Sequence, residues 1–511
     1  MLSCLQSAAI QGIDGRMVAV EVDSAQGLPS LAVVGLPDAS VKESKDRVRA
    51  AVTNAGYEFP TRKFTVNLAP GDVKKEGPSF DLPIALGILV ATEQASPVRA
   101  ETHAFVGELG LDGALRAVQG VLSLAAECRR NGLKGIVVPK ANVAEAALVE
   151  GLDAIPAGTL ADAAGFLSGT NSIEPVRVDA LDVLRSDESR EETDFSEVRG
   201  QEHAKRALLI AASGGHNVLL VGPPGSGKTM LARRLPTILP RLSLEESLET
   251  TRIYSVAEML PPDRPLIARR PFRAPHHTVS APGLVGGGSS PRPGEASLSH
   301  HGVLFLDELP EFSRHTLEVL RQPLEDGFVT ISRASGSLSF PARFMLVAAM
   351  NPCPCGYLGH PKRPCRCTPR EISHYRSKIS GPLLDRIDIH VEVPAVSFSD
   401  VSGEEQGRPS SAIRADVRAA RELQSRRYGE RPGAVNASVP GRMLKRVCQP
   451  TEAARMLLKE AMEGIGLSAR AFTKVLRVAR TIADLERTPA VDVSHVAEAI
   501  QYRALDRVAA V

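Results

Sequence analysis

Apolar residues recur at every second position early in the chain. Val18, Val20 and Val22 form one such run, and Leu31 and Val33 form another after a Gly-Leu-Pro break. A period of two predicts paired strands. The spacing then lengthens to that of a helix in SVKESKDRVRAAVTNAG (40–56) and returns to a strand in RKFTVNLAP (62–70). Further on, three short unbroken apolar runs stand out: NVLLV (217–221), Val303 to Leu306, and RFMLVAAMN (343–351). Runs of this length predict strands buried on both faces, as in a parallel sheet. Ile413, Val417, Ala420 and Leu423 mark one face of a helix in a C-terminal part rich in Ala, Arg and Leu.

Two polar stretches divide this pattern. SDESREETDFSE (186–197) sets six acidic residues against one arginine and predicts a solvated linker. SDVSGEEQGRPSS (399–411) predicts a second joint. The expected organisation is a mixed α/β domain over 1–173, an acidic linker over 174–197, an α/β core over 198–395, and a helical part over 396–511.

Composition narrows the function. The 511 residues are 43% hydrophobic and 23% charged, with no apolar run long enough to span a bilayer and no basic, apolar leader at the start. A soluble cytoplasmic protein is expected. A net charge of +2, no Trp and 4% aromatic residues argue against a base-stacking platform of the single-strand-binding kind, and any grip on nucleic acid must come from local basic groups.

The first of the short apolar runs leads into GPPGSGKT: Gly222, Pro223, Pro224, Gly225, Ser226, Gly227, Lys228 and Thr229, followed by helical MLARRL. Glycines at these places let backbone N–H groups turn toward a phosphate chain at a helix N-terminus. Lys228 would reach the terminal phosphates of ATP, and Thr229 would hold Mg2+. The second run ends in Asp307, suited to Mg2+, and Glu308, suited to polarise an attacking water. The third ends in Asn351, a polar group placed to orient that water. Together they predict an α/β ATPase with a parallel sheet.

Three longer stretches, RRPFRAPHHTVSAPGLVGGGSSPRPGEASLSHHGVLFLDELPEF, NPCPCGYLGH and LLDRIDIHVEVP, resemble the YifB/ComM family of magnesium-chelatase-like AAA+ ATPases. The resemblance extends from about Leu5 to about Ala504. It implies an AAA+ core with a helical lid, preceded by a Lon-protease-like (ribosomal S5-like) α/β domain. It also implies a hexameric motor that acts on DNA in branch migration during natural transformation. By the same resemblance Asn351 is sensor 1, Arg386 is an arginine finger offered to a neighbouring subunit, and Arg470 is sensor 2. A guanidinium suits both arginine roles because it stays charged and binds phosphate through two N–H groups. VTISRASGSLSFPARF (329–344) is similar to the pore hairpin of MCM-type helicases, which puts Arg333 at a DNA-contacting position. A remodeller of a protein partner that never touches DNA is the alternative.

Four of the seven cysteines, Cys353, Cys355, Cys365 and Cys367, fall in the loop 351–367. Two close pairs across a short loop can converge on one Zn2+, with His360 as a possible substitute ligand; free thiols are the other reading. Cys4, Cys128 and Cys448 are expected as buried thiols. The adjacent pairs His276/His277 and His300/His301 lack ligand spacing and read as polar loop residues. KKEGPSFDLP (74–83) resembles the nucleophile turn of Lon-type peptidases with Ser79 as the serine. Leu122 stands where that family carries its lysine base, so proteolysis is not expected unless Lys74 or Lys75 substitutes.

Overall fold

A computed structural model describes residues 1–186, 193–261, 264–288, 291–333, 336–395, 407–429, 433–465 and 468–503. Parts of both polar joints, 187–192 and 399–406, lie outside these. The chain forms two units: Met1–Asp187 with Ser243–Ala268 and Ser332–Phe340, and Glu188–Leu242 with Arg269–Ile331 and Pro341–Val511.

The first unit is built on a seven-stranded mixed sheet of β1 (Leu2–Gln11), β2 (Asp14–Ala25), β3 (Ser30–Val34), β4 (Lys63–Ala69), β5 (His103–Phe105), β6 (Gly135–Pro139) and β7 (Asp153–Ala157), in the order β3-β4-β2-β1-β5-β6-β7. The period-two residues Val18, Val20 and Val22 are fully buried on one face of β2. The two alternating runs are strands, but they do not pair with each other. β4 lies between them, antiparallel to β2 and parallel to β3. The physical reason is that Leu31 and Val33 bury only partly, so β3 suits an edge, whereas β4 buries Phe64, Val66 and Leu68 completely. Helices α1 (Ala39–Asn54) and α2 (Asp81–Ala91) cover that face. Asp81 is fully buried and accepts from Ser44 and from Arg47 Nε at 2.7 Å. A buried carboxylate is tolerated there because it is paired. Helix α3 (Val121–Arg130) packs on β1 and β2, and α4 (Leu160–Ser168) closes the unit with a capping box at Thr159.

The second unit carries a five-stranded sheet in which every pairing is parallel. In chain order its elements are α5 (Glu202–Gly214), β8 (Val218–Val221), α6 (Lys228–Ile238), β9 (Phe272–Arg273), β10 (Val303–Leu306), the start of a hairpin of β11 (Phe328–Arg333) and β12 (Gly336–Pro341), whose residues 332–340 are counted with the first unit, then β13 (Met345–Met350), α7 (Pro369–Ser377) and β14 (Ile389–Glu392). The sheet order is β9-β10-β13-β8-β14. The three apolar runs of the sequence are its three central strands, buried at every position. The mixed α/β architecture with a parallel core sheet is the class the sequence predicts.

A set of helices follows: α8 (Ser410–Tyr428), α9 (Glu452–Ile465), α10 (Ala469–Leu485) and α11 (Val493–Gln501). Ile413, Val417 and Ala420 are buried on α8 as their spacing predicts. Within the former linker stretch, Phe195 is 1% exposed and its amide donates to Ser410 Oγ at 2.7 Å. Helix α10 is tied to the sheet by an ion pair from Lys474 to Asp388, 2.8 Å long and nearly solvent-free. Burial alone would raise the Asp388 pKa, but Lys474 and His216 outweigh it and hold the carboxyl well below its usual range. Removing one partner of a buried pair leaves the other charge uncompensated. Lys474→Met is therefore expected to cost about 3 kcal/mol or more in chemical denaturation followed by circular dichroism. Lys474→Met combined with Asp388→Leu should recover much of that loss. Equal losses in the single and double variants would show that the charge pair is not the cause.

Candidate nucleotide site and cysteine cluster

The carboxyl ends of β8, β10 and β13 converge, and the residues leaving them form one site. The turn after β8 is wedged tightly. Gly222 donates its N–H to the Met350 carbonyl at 3.2 Å, and a Cβ on Gly222 would stand 2.1 Å from the Val393 carbonyl oxygen. Only glycine fits so close an approach. Gly225 and Gly227 have φ of +75° and +90°, which L side chains rarely adopt. Gly227 then caps α6, whose first residue is Lys228. The Lys228 ammonium is buried and donates to the carbonyls of Gly222 and Pro223 at 2.7 and 2.9 Å and to Asn351 Oδ1 at 3.4 Å. Burial pushes its pKa down, while Asp307 and Glu308 pull it up.

Thr229 donates its hydroxyl to Asp307 Oδ2 at 2.7 Å, so the two groups that the sequence assigns to Mg2+ touch. Asp307 Oδ1 accepts the Glu308 amide at 3.0 Å. Glu308 has φ 52° and ψ 46°, left-handed for a non-glycine residue, and its side chain is 60% exposed. His277 Nδ1 lies 3.5 Å from Glu308 Oε2. A cavity of about 410 Å³ opens here, bordered by Glu308, Glu311, Asn351, Pro354, Tyr375 and Lys378.

The two arginines named from the family resemblance are elsewhere. Arg386 precedes β14. Its carbonyl accepts from Asn217 Nδ2 at 2.9 Å, and Asn217 is the residue before β8. Val218 pairs with Ile389 and Val221 with Glu392. Arg386 therefore sits at the amino end of the strands, and the glycine loop at their carboxyl end. Its side chain is 12% exposed and pairs with Glu325, and its Nη1 donates to the Pro382 carbonyl at 2.6 Å. Burial, then the nearby guanidinium groups of Arg321 and Arg470, push its pKa below the ordinary arginine value. Arg470 pairs with Asp385 at 3.2 Å and is 70% exposed.

The four cysteine sulfurs lie within 4.8 Å of one another. Cys353 Sγ is 3.4 Å from Cys355 Sγ and 3.6 Å from Cys365 Sγ, and the last two are 3.6 Å apart. A disulfide would need about 2.05 Å. Tetrahedral coordination with metal–sulfur bonds of about 2.3 Å puts sulfurs roughly 3.8 Å apart, close to what is seen. N–H groups of Arg366 and Tyr357 push the Cys355 thiol down to about 6. Cys367 goes the other way, to about 12: the Cys355 amide donates to it, but burial and the adjacent sulfurs outweigh that bond. Thiolates this close oppose each other's ionisation, and a divalent cation at their centre would remove the conflict. His360 is not drawn into the cluster; its Nδ1 accepts the amides of Lys362 and Arg363 at 3.1 Å.

Other sequence candidates fall outside this site. Arg333 ends β11, and its side chain lies outside the described residues. Ser79 is half-buried in a short turn, Pro78–Phe80, while Lys74 pairs with Glu76 at 2.5 Å. Lys75 is fully buried and donates to the Pro70 carbonyl, and Leu122 is 2% exposed. Cys128 and Cys448 are buried as expected; Cys4 is exposed, near the start of β1 on the face that also leaves Leu2 exposed. Sequence reasoning left His277 as a loop residue and did not single out Tyr375, Arg376 or Gly356. Their roles depend on long-range contacts with no local spacing signal.

Family models match the chain in three stretches: "Subunit ChlI of Mg-chelatase" over residues 20–142, "Magnesium chelatase, subunit ChlI" over 194–401, and "Magnesium chelatase, subunit ChlI C-terminal" over 407–503. The chain is 44% identical over 513 residues to the YifB protein of Escherichia coli (strain K12), covering 99% of this chain and 98% of that one. It is 43% identical over 509 residues to the "Competence protein ComM" of Haemophilus influenzae, with the same coverage of each chain. A shorter similarity, 30% over 177 residues, covers 31% of this chain and 50% of the magnesium-chelatase 38 kDa subunit of Rhodobacter capsulatus.

Proposed function

This chain belongs to the magnesium-chelatase-like family that includes the YifB and ComM proteins, and from that premise we propose that it is a ring-forming cytoplasmic AAA+ ATPase, hexameric by analogy, that moves on DNA in branch migration or strand separation. The observation that carries this reading is the position of Arg386. It lies at the opposite end of the sheet from the glycine loop, and the four residues of β8 alone span roughly 13 Å. An arginine side chain cannot turn back over that distance to its own chain's phosphate loop. Its charge is useful to hydrolysis only when a second copy brings it to the neighbour's site.

In this reading the N–H groups of Gly225, Gly227, Lys228 and Thr229 cradle the phosphates of ATP, and the Lys228 ammonium leaves its carbonyl partners for the terminal phosphate. Thr229 and Asp307 hold the Mg2+ that accompanies the nucleotide. Glu308 takes the proton of the attacking water in the cavity it borders, and Asn351 orients that water. The neighbour's Arg386, with Arg470 beside it, offsets charge that develops on the transferred phosphoryl group. Cys353, Cys355, Cys365 and Cys367 would hold a structural Zn2+, which fixes the loop's shape; metal analysis of the purified chain under reducing conditions reads it directly. Support for DNA as the track comes from the competence-protein relative and from the hairpin that carries Arg333.

Glu308→Gln is expected to bind a fluorescent ATP analogue as wild type does while turnover falls by about 100-fold or more. Normal hydrolysis by that variant would remove Glu308 as the base. Arg386→Ala and Lys228→Ala should each abolish ATPase activity, and mixing the two should restore part of it, because mixed rings contain sites with an intact loop facing an intact arginine. No recovery on mixing would mean that the arginine does not act across subunits. Forked or four-way-junction DNA should stimulate hydrolysis several-fold, and Arg333→Ala should abolish the stimulation. Indifference to DNA would favour the remodeller of a protein partner.

A further inference from the structure

The cysteine cluster and the glycine loop meet at one residue. Gly356 follows Cys355 and has φ +82°. A Cβ there would stand 2.7 Å from Cδ and 2.9 Å from Cγ of Pro224. Those atoms belong to a ring fused to the backbone of the phosphate loop, so they cannot swing aside as the tip of a long side chain would. On its other side, the Gly356 amide donates to the Cys353 carbonyl at 3.0 Å, and Cys353 is fully buried with its sulfur against those of Cys355 and Cys365.

The start of the same loop is held as firmly. Arg376 donates to the Pro352 carbonyl at 3.4 and 3.2 Å. Only four residues separate Asn351, whose side chain faces Lys228, from Gly356, and two of the four are cysteines. Helix α7 and the sulfur cluster thus fix both ends of a short bridge that lies against the loop.

We propose that Gly356 is a positioning residue through which the cysteine cluster sets the shape of the phosphate loop. With the four sulfurs gathered on a metal ion, the bare Cα of Gly356 seats against the Pro224 ring and keeps the following N–H groups aligned for phosphate. When the sulfurs separate, that support is withdrawn and nucleotide affinity falls. The proposal rests on the reading that residues 222–229 bind nucleotide and that the four thiolates bind metal.

The test is titration of the full-length protein with a fluorescent ATP analogue, with zinc content by mass spectrometry and circular dichroism on the same samples. Gly356→Ala should weaken binding by about tenfold or more while keeping its zinc. Gly359→Ala is the matched control: its φ is +77°, nothing lies within 4 Å of its Cβ position, and it should stay within about twofold of wild type. Pro224→Ala added to Gly356→Ala removes the two opposing ring atoms and should recover most of the affinity. A chelator that strips zinc should weaken the wild type by about as much as Gly356→Ala does, with little further effect on that variant.

Equal losses in the two glycine variants would overturn the proposal, since backbone strain alone would then explain them. So would unchanged wild-type affinity after zinc is removed. If Gly356→Ala loses zinc or secondary structure, recovery on adding Pro224→Ala supports the contact and its absence refutes it. A wild-type protein that binds no nucleotide refutes the underlying reading of the loop instead, and one that binds nucleotide but carries no zinc refutes the metal.

Discussion

The constraint on which the site depends is the close approach of three strand ends at Gly222. Its N–H is used by Met350 at the end of β13, and the Val393 carbonyl just past β14 leaves no room for a Cβ. The main chain must therefore turn out of the sheet at this point, and the next residues cannot continue the ladder. Pro223 and Pro224 have no N–H to offer a ladder, and the N–H groups that follow them face outward at the start of α6. An anion-binding turn follows from packing the strands, with the helix N-terminus adding its dipole. The same compression brings Asp307 and Asn351, which leave the neighbouring strands at the same level, into contact with Thr229 and Lys228.

A parallel sheet has two chemically different ends, and this chain uses both. All five strands run the same way, so every loop that follows a strand emerges beside Gly222 and every loop that precedes one emerges at the other end. Asp385, Arg386 and Asp388 belong to the second set, and residues of α10 pair with two of them: Lys474 with Asp388 and Arg470 with Asp385. Helix α10 is thereby tied to this end of the sheet. Arg386 is paired with Glu325 and crowded by Arg321 and Arg470; burial first, then their repulsion, lowers its hold on its proton.

How much of this could be read from residues alone depended on the range of the interaction. The apolar runs before Gly222, Asp307 and Asn351 declare their strands, because full burial on both faces demands an unbroken hydrophobic stretch. The glycine spacing of the loop is as local and as legible. β3 was recognised as a strand from Leu31 and Val33, but its neighbour was not, since alternation reports which face is buried and carries no record of which strand lies alongside. Cysteine spacing suggested convergence, yet nothing local to Gly356 announces Pro224, which lies more than 130 residues earlier. Arg386 and Arg470 could be named only by likeness to a family; their position at the far end of the sheet comes from the register of β8 with β14.

Glu308 shows why the site carries strain and what the strain accomplishes. A carboxylate one residue beyond Asp307 would, with ordinary strand dihedrals, alternate to the opposite face of β10 and point away from the loop. Instead its backbone is left-handed, at a cost of about 1 kcal/mol or more for a non-glycine residue. The conformation is held by the Asp307 carboxylate accepting the Glu308 amide and by the short helical turn Leu309–Glu311 that starts immediately after. The result is that two consecutive acids serve the same side of the sheet: Asp307 lies against Thr229, and Glu308 reaches the cavity that Asn351 also borders. His277 Nδ1 lies 3.5 Å from Glu308 Oε2 on this side. Backbone strain at this single residue therefore sets two consecutive carboxylates, which a regular strand would send to opposite faces, on the same side of the sheet.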